Sequence, residues 1–168
     1  MRRINESGLN LIKEFEGYRD TAYLCPGNVW TIGWGHTVFV KQGDTCTLAQ
    51  AERWLRDDVA WAEDTIDGFV DVPLNENQFS ALVSWSFNVG RGATISSTLL
   101  RLLNEGDYSR VPEQLRRWKR AGGEVSNGLI RRREAEIALW LKPVLVPESD
   151  PAPLTFWTFV KRLFGVQP

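Results

Sequence analysis

The chain has 168 residues, is 43% hydrophobic with eight tryptophans, and carries a formal net charge of −1. That is enough apolar material for one core, so a single domain, with or without a tail, is expected. A near-neutral balance excludes a global electrostatic pull toward nucleic acid, and no apolar run approaches the roughly 18 residues of a spanning helix. Charge is unevenly placed, however: residues 44–76 carry nine acids against two bases, and residues 91–142 eleven bases against six acids. This pattern reads either as solvated helix faces or as a basic surface turned toward an anionic polymer or a membrane. The N-terminus, MRRINESGLNLIKEFEG, is too polar for a signal peptide or anchor, so cytoplasmic retention is expected. Two cysteines, Cys25 and Cys46, are too few for a disulfide framework and lack CxxC spacing; with a single histidine, no metal site is expected.

Taken in order, the first predicted helix runs from about Asn5 to Glu16. Asn5 is a natural N-cap, Leu9, Ile12 and Glu16 share a face, and Gly17 supplies the stop. Glu16 therefore sits at a helix C-terminus on the face that buries Leu9 and Ile12. Partial burial and the negative end of the helix dipole both oppose ionisation there, which suits a proton donor. From Tyr18 to Val40 the pattern changes to short strands, Thr21–Leu24 and Val29–Ile32, around a Pro26-Gly27-Asn28 turn. Thr47 to Gln50 is a capping box opening one long helix that ends near Asp67 and Gly68. Asn75 opens another, which buries Phe79, Leu82, Val83 and Phe87 and stops at Gly90. Ser96 or Ser97 starts a short apolar helix through Leu103. Residues 107–121 are read as helical with Pro112 near the first turn, and Leu129–Leu141 as a last core helix with Ile130, Ile137 and Leu141 on its apolar side. Five prolines fall from residue 143 onward, and the four at 143, 147, 151 and 153 make an extended linker before the aromatic, partly basic stretch 154–164. That stretch either folds back on its own domain or touches a membrane; at about ten residues it is too short to span one.

The chemistry concentrates between Glu16 and Thr37, EGYRDTAYLCPGNVWTIGWGHT, which holds the chain's lone histidine and four of its 14 glycines. Glu16, Cys25 and Thr31 are spaced by nine and six residues. A helix end running into a tight hairpin gathers such residues around one cleft, and a protonated carboxyl facing a group that holds water is an arrangement for glycoside cleavage. Spacing by itself leaves a surface Glu, a buried Cys and a strand Thr as equally ordinary readings. Trp30 and Trp34 offer either core packing or faces for sugar stacking. His36 is a structural hydrogen-bond partner or a cleft residue, Asn88 at its helix end is a candidate cleft residue, and one of Arg131, Arg132 and Arg133 is a candidate partner for Glu16.

The stretch resembles the catalytic signature of the phage-type lysozymes, the endolysins of glycoside hydrolase family 24. Their pattern is Glu, eight residues, Asp or Cys, five residues, Thr, and Glu16, Cys25 and Thr31 match it without a gap. Thr31-Ile-Gly-Trp-Gly-His36, the Ala81–Gly90 helix, Arg117-Trp118, Gly122-Gly123 and Gly128–Glu134 extend the likeness over about residues 4–142. The resemblance implies an α+β, mainly helical, lysozyme-like fold: a small N-terminal lobe with a β-ribbon, a long connecting helix at 47–67, a helical C-terminal lobe and a cleft between. It implies a catalytic domain over 1–142 with 143–168 as linker and tail, and hydrolysis of the β-1,4 bond between N-acetylmuramic acid and N-acetylglucosamine. A lytic transglycosylase, or a membrane-active or wall-binding protein acting through 154–164, are the alternative readings.

By position in the motif, Glu16 protonates the leaving oxygen, while Cys25 and Thr31 position or activate water. His36 and Asn88 become candidate substrate contacts. Many members have Asp where this chain has Cys25; a thiol of ordinary pKa, about 8.5, is mostly neutral at pH 7. Either its pKa is lowered locally, or Thr31 does most of the water positioning, or a thiolate attacks the sugar, with inversion the expected outcome. A disulfide between Cys25 and Cys46 is a conceivable off switch, against a buried Cys46 that merely packs. No cofactor is expected. The partner is bacterial peptidoglycan, the chain is expected to be a monomer, and it waits in the host cytoplasm until the membrane is permeabilised, then acts in the periplasm.

Overall fold

The computed structural model describes residues 2–144; the expected tail, including 154–164, lies outside the described residues. The first helix, α1 (Glu6–Glu16), begins where Asn5 accepts a hydrogen bond from the Gly8 N–H at 2.9 Å, and ends at Gly17, whose φ of 71° reverses the chain. Strands β1 (Arg19–Leu24) and β2 (Trp30–Gly33) pair antiparallel, with Tyr23 opposite Thr31 and Leu24 opposite Trp30, and an irregularity between Arg19 and Tyr23. The turn residue Asn28 takes a left-handed φ of 57°, a conformation Asn tolerates better than most side chains. Residues 44–46 lie along the other side of β1: Ala22 N–H donates to Asp44 O, and Cys46 N–H to Asp20 O.

The expected long connector is two helices, α2 (Leu48–Asp58) and α3 (Ala60–Phe69). The capping box at Thr47 is present as read, but the spine breaks at Val59 and runs on to Phe69. At the break the Val59 N–H still reaches Leu55 O at 3.0 Å, while the Ala62 N–H turns to Val59 O, three residues back, at 2.9 Å, and Val59 itself is buried. Glu63 of α3, 2% exposed, accepts the Ile4 N–H at 2.8 Å and the Arg3 guanidinium at 2.7 Å, tying the N-terminal segment to the connector.

The centre of the molecule is α4 (Glu76–Val89), opened by the Asn75–Gln78 capping box. It is buried on all sides from Phe79 to Ser86, which marks a helix surrounded by others; α8, α1 and α3 pack around it. Helix α5 (Arg91–Ile95), unforeseen in the sequence, fills the space after Gly90, and α6 (Thr98–Asn104) follows its Ser97 cap.

The helix read over 107–121 is shorter than expected. A 3-10 turn (Tyr108–Arg110) leads into α7 (Val111–Arg116), and a second ribbon follows, β3 (Arg120–Ala121) with β4 (Glu124–Val125). Gly122 and Gly123 join them with φ of 58° and 86°. Two consecutive positive φ values are what a tight hairpin turn requires, and the glycine pair decides for a ribbon over a helix. The last helix, α8 (Asn127–Leu141), is capped by Ser126. Its buried face is partly different from the one expected: Ile130 and Leu141 are exposed, while Arg132, Arg133 and Glu136 lie inside with Ile137, Leu139 and Trp140. Among the described residues no helix is long and apolar enough to cross a membrane.

Candidate active site

Glu16 closes α1, and its carboxylate receives the Arg132 guanidinium at 2.7 Å. Arg132 comes from α8, 116 positions later, and its side chain is 4% exposed against 28% for that of Glu16. The Phe15 ring lies 5.8 Å from the guanidinium carbon. The partial burial expected of Glu16 is present.

Glu16 and Arg132 line a cavity of about 460 Å³ together with Phe15, Asn88, Ser126 and Leu129. A neighbouring cavity of about 350 Å³, lined by Trp118, Arg120 and Ala121, shares Asn88 and Leu129 with it. The second ribbon therefore extends the groove past the end of α4. Asn88 is exposed at that end; its side-chain oxygen accepts from Arg133 Nη2 at 2.9 Å, which leaves its amide hydrogens for a ligand.

Cys25 and Thr31 sit on the β1–β2 ribbon. Cys25 N–H donates to Val29 O at 3.0 Å and Cys25 O accepts from Asn28 N–H at 2.9 Å, closing the turn. The backbone N–H groups of Val29 and then Gly27 pull the Cys25 thiol below its ordinary value, against a smaller upward push from burial; the Thr31 hydroxyl adds to the pull. Of the three alternatives for this thiol, a locally lowered pKa is the one with a structural cause. Thr31 is 4% exposed and donates its hydroxyl to Val29 O at 3.0 Å. Neither residue lines the cavity at Glu16.

His36 belongs to a different place. Its Nδ1 lies 2.9 Å and 3.1 Å from the Asp58 carboxylate oxygens, and its ring stacks on Trp54 at 4.7 Å. It lines a separate cavity with Ile32, Phe39 and Trp54. The structure does not bring it to the Glu16 cavity; it fastens the segment after β2 to the end of α2. Trp34 is 7% exposed and packs beside Tyr18 at 5.1 Å, which favours the core reading for that ring.

Both cysteines are free. Cys46 pairs with Asp20 at one end of β1 and Cys25 follows the other end. At the rise of a strand that separation is on the order of 15 Å, whereas a disulfide needs Cα atoms within about 7 Å. The Cys25–Cys46 bond considered above does not fit this fold, and Cys46 is buried beneath the ribbon, its Sγ 3.9 Å from the Tyr18 hydroxyl and from Arg19 O.

The arginine run was the least legible part of the site. Arg132 and Arg133 are 3% and 1% exposed, so they are not a solvated edge. The signal lay in their spacing. Arg133 is four residues before Ile137 and seven before Trp140, on the core stripe, with Glu136 three residues away. Elsewhere in the basic segment the solvated reading holds: Arg101, Arg110, Arg116 and Arg117 form exposed pairs with nearby glutamates. Among the described residues no group of three or more His, Cys, Asp or Glu side chains converges to hold a metal ion.

Comparison with known proteins places this geometry in a family. The phage lysozyme family model matches residues 13–136. An endolysin of Acyrthosiphon pisum secondary endosymbiont phage 1 is 44% identical over 141 residues, covering 82% of this chain and 97% of its own. An endolysin of Bacillus phage B103 is 42% identical over 143 residues; the match covers 82% of this chain but only 54% of that longer protein. Among solved structures, the muramidase domain of SpmX from Asticaccaulis excentricus superimposes with a TM-score of 0.80 at 37% identity, over 85% of this chain and 100% of that domain. With a matching family model, close relatives and a shared fold, the chain belongs to the phage lysozyme family.

Proposed function

We propose that this chain is a phage endolysin acting as an N-acetylmuramidase, which hydrolyses the β-1,4 bond between N-acetylmuramic acid and N-acetylglucosamine in bacterial peptidoglycan. The observation that carries this reading is Glu16, a carboxyl at a helix end on the wall of an elongated groove, held from behind by Arg132. Glu16 gives its proton to the leaving glycosidic oxygen. As the proton is delivered the carboxyl becomes a carboxylate, and the Arg132 guanidinium beside it stabilises the charge that develops there. Cys25 and Thr31 hold water on the opposite side; the depressed thiol supplies a base that an ordinary cysteine would not. The water adds to the anomeric carbon, its proton passes to the base, and inversion results. Asn88 contacts substrate with its amide, and His36 acts by fixing the ribbon rather than by touching sugar.

The domain spans residues 1–142, with 143–168 as linker and tail. The protein works as a monomer, stays in the host cytoplasm until the membrane is breached, and then degrades the wall. Mass spectrometry of muropeptides released from purified sacculi tests the chemistry. Hydrolysis adds one water per cut, whereas a transglycosylase leaves the product one water lighter. The wild type is expected to give hydrated products, and Glu16→Gln to lose activity by about 10²–10⁴-fold. Undiminished release by Glu16→Gln would sink the assignment.

A further inference from the structure

Behind the groove lies a second layer of charge that the reaction above does not use. Glu136 is 0% exposed and sits between two arginines of its own helix. Its Oε1 accepts from Arg132 Nε at 3.3 Å, Arg133 Nη2 at 3.0 Å and the Ser84 hydroxyl at 3.0 Å, the last from α4. Arg132 reaches on to Glu16, and Arg133 reaches on to Asn88. Two groove residues from different helices thus rest on guanidiniums that share one buried carboxylate.

Stability is a weak explanation for this cluster. Glu136 Oε2 and Arg133 Nη1 make no hydrogen bond among the described residues, and Arg133 Nε meets Oε2 at 2.8 Å as a close ionic contact outside hydrogen-bond alignment. Burial pushes the Glu136 carboxyl up and the Arg133 guanidinium down from their ordinary values, each against the attraction of the other. An incompletely satisfied buried ion pair contributes less than well-packed apolar side chains of the same volume. What the arrangement does provide is placement: it fixes both arginines where they meet the groove.

We propose that Glu136 is a positioning residue of the hydrolytic site. It holds Arg132 against Glu16 and Arg133 against Asn88, and its negative charge faces the same guanidinium that faces Glu16. The inference rests on Glu16 being the proton donor. The charged groups around the pair are few. Arg131 and Arg132 of α8 and Glu14 of α1 share the Glu16 cavity. Arg132, Arg133 and Ser84 surround Glu136, and Arg133 also lines a small cavity with Arg116, Lys119 and Glu134. With a neutral amide at position 136, Glu16 faces a guanidinium that no buried negative charge offsets, and gives up its proton at lower pH. With a neutral side chain at position 133, Glu136 acts on Arg132 alone, and Glu16 keeps its proton to higher pH.

Two readouts test this in the full-length protein. Carboxyl-carbon NMR titration of Glu16, assigned by the signal lost in Glu16→Gln, needs no catalysis. The alkaline limb of kcat/KM for muropeptide release reads the same proton through the reaction. In Glu136→Gln both midpoints are expected to fall by roughly one pH unit, and in Arg133→Gln to rise. Packing damage alone lowers activity without moving midpoints in opposite directions. Circular dichroism confirms the fold, and either variant decides the question if the other does not fold. Unmoved midpoints in a folded variant, a shift of the wrong sign, or an NMR midpoint that moves while the limb stays put would each overturn the proposal. NMR shifts of the expected sign in a protein whose wild type releases no muropeptides would overturn the hydrolase reading instead, and with it the positioning role, while identifying the charge coupling as real.

Discussion

The two walls of the proposed site are held by opposite means. On the helical wall, Glu16 is placed by side chains distant in sequence: Arg132 lies 116 positions away, and Ser84 meets Glu136 across 52. On the ribbon wall, Cys25 and Thr31 are placed by the backbone within a few residues, through Val29, Gly27 and Asn28. A wall built from buried charge is rigid and intolerant of one-sided change, because a buried ion that loses its partner is left unsolvated. A wall built from a turn depends on φ values and N–H groups, and tolerates exchange of side chains as long as the turn survives.

This contrast breaks most visibly with Glu136→Ala, which leaves buried Arg133 without a carboxylate and Arg132 with Glu16 alone. It should cost about 3–5 kcal/mol of stability by chemical denaturation; a loss below about 1 kcal/mol would mean that water reaches the cluster. Next is Gly8→Ala on α1. Alanine is the better helix former by about 1 kcal/mol, yet a Cβ at Gly8 would lie 2.7 Å from Ile4 Cγ1 and 2.8 Å from Ser80 Cβ. Overpacking should win, with a net loss of about 2 kcal/mol in the same measurement, and a gain would show that α1 slides freely on α4. On the ribbon, Gly33→Ala combines a φ of 64° with a Cβ 3.0 Å from that of Ala51, and a loss of about 1–2 kcal/mol is expected. The smallest effect sharpens the chemistry. The Cys25 thiolate forms at lower pH than an ordinary thiol, so the midpoint of its alkylation against pH should fall below about 8.5 and return there on unfolding. An unchanged midpoint would leave Thr31 as the group that positions water.

The same contrast explains what could be read from the sequence. The ribbon, the caps at Asn5, Thr47 and Asn75, and the stop at Gly17 are local events, written in neighbouring residues and recovered at nearly the expected positions. The motif spacing that marked Glu16, Cys25 and Thr31 is local as well. Three features were missed because they arise from packing or from a turn that outweighs helix propensity: the break at Val59, the ribbon at Gly122-Gly123, and the burial of Arg132 and Arg133. His36 shows the limit from the other side. A structural hydrogen-bond partner is one of its two readings, but the group it meets, Asp58, is 22 residues away and is not named by the local sequence.

The distance between Glu16 and Arg132 also bears on how the protein is made. Synthesis yields the acid first and its partner almost last. A nascent chain that has not passed residue 127 has Glu16, the ribbon and the central helix, but none of α8. It lacks the guanidinium, the buried carboxylate and one side of the groove. The proposed site therefore assembles only once α8 has been made, and a chain truncated before residue 127 is expected to carry the motif without activity on sacculi.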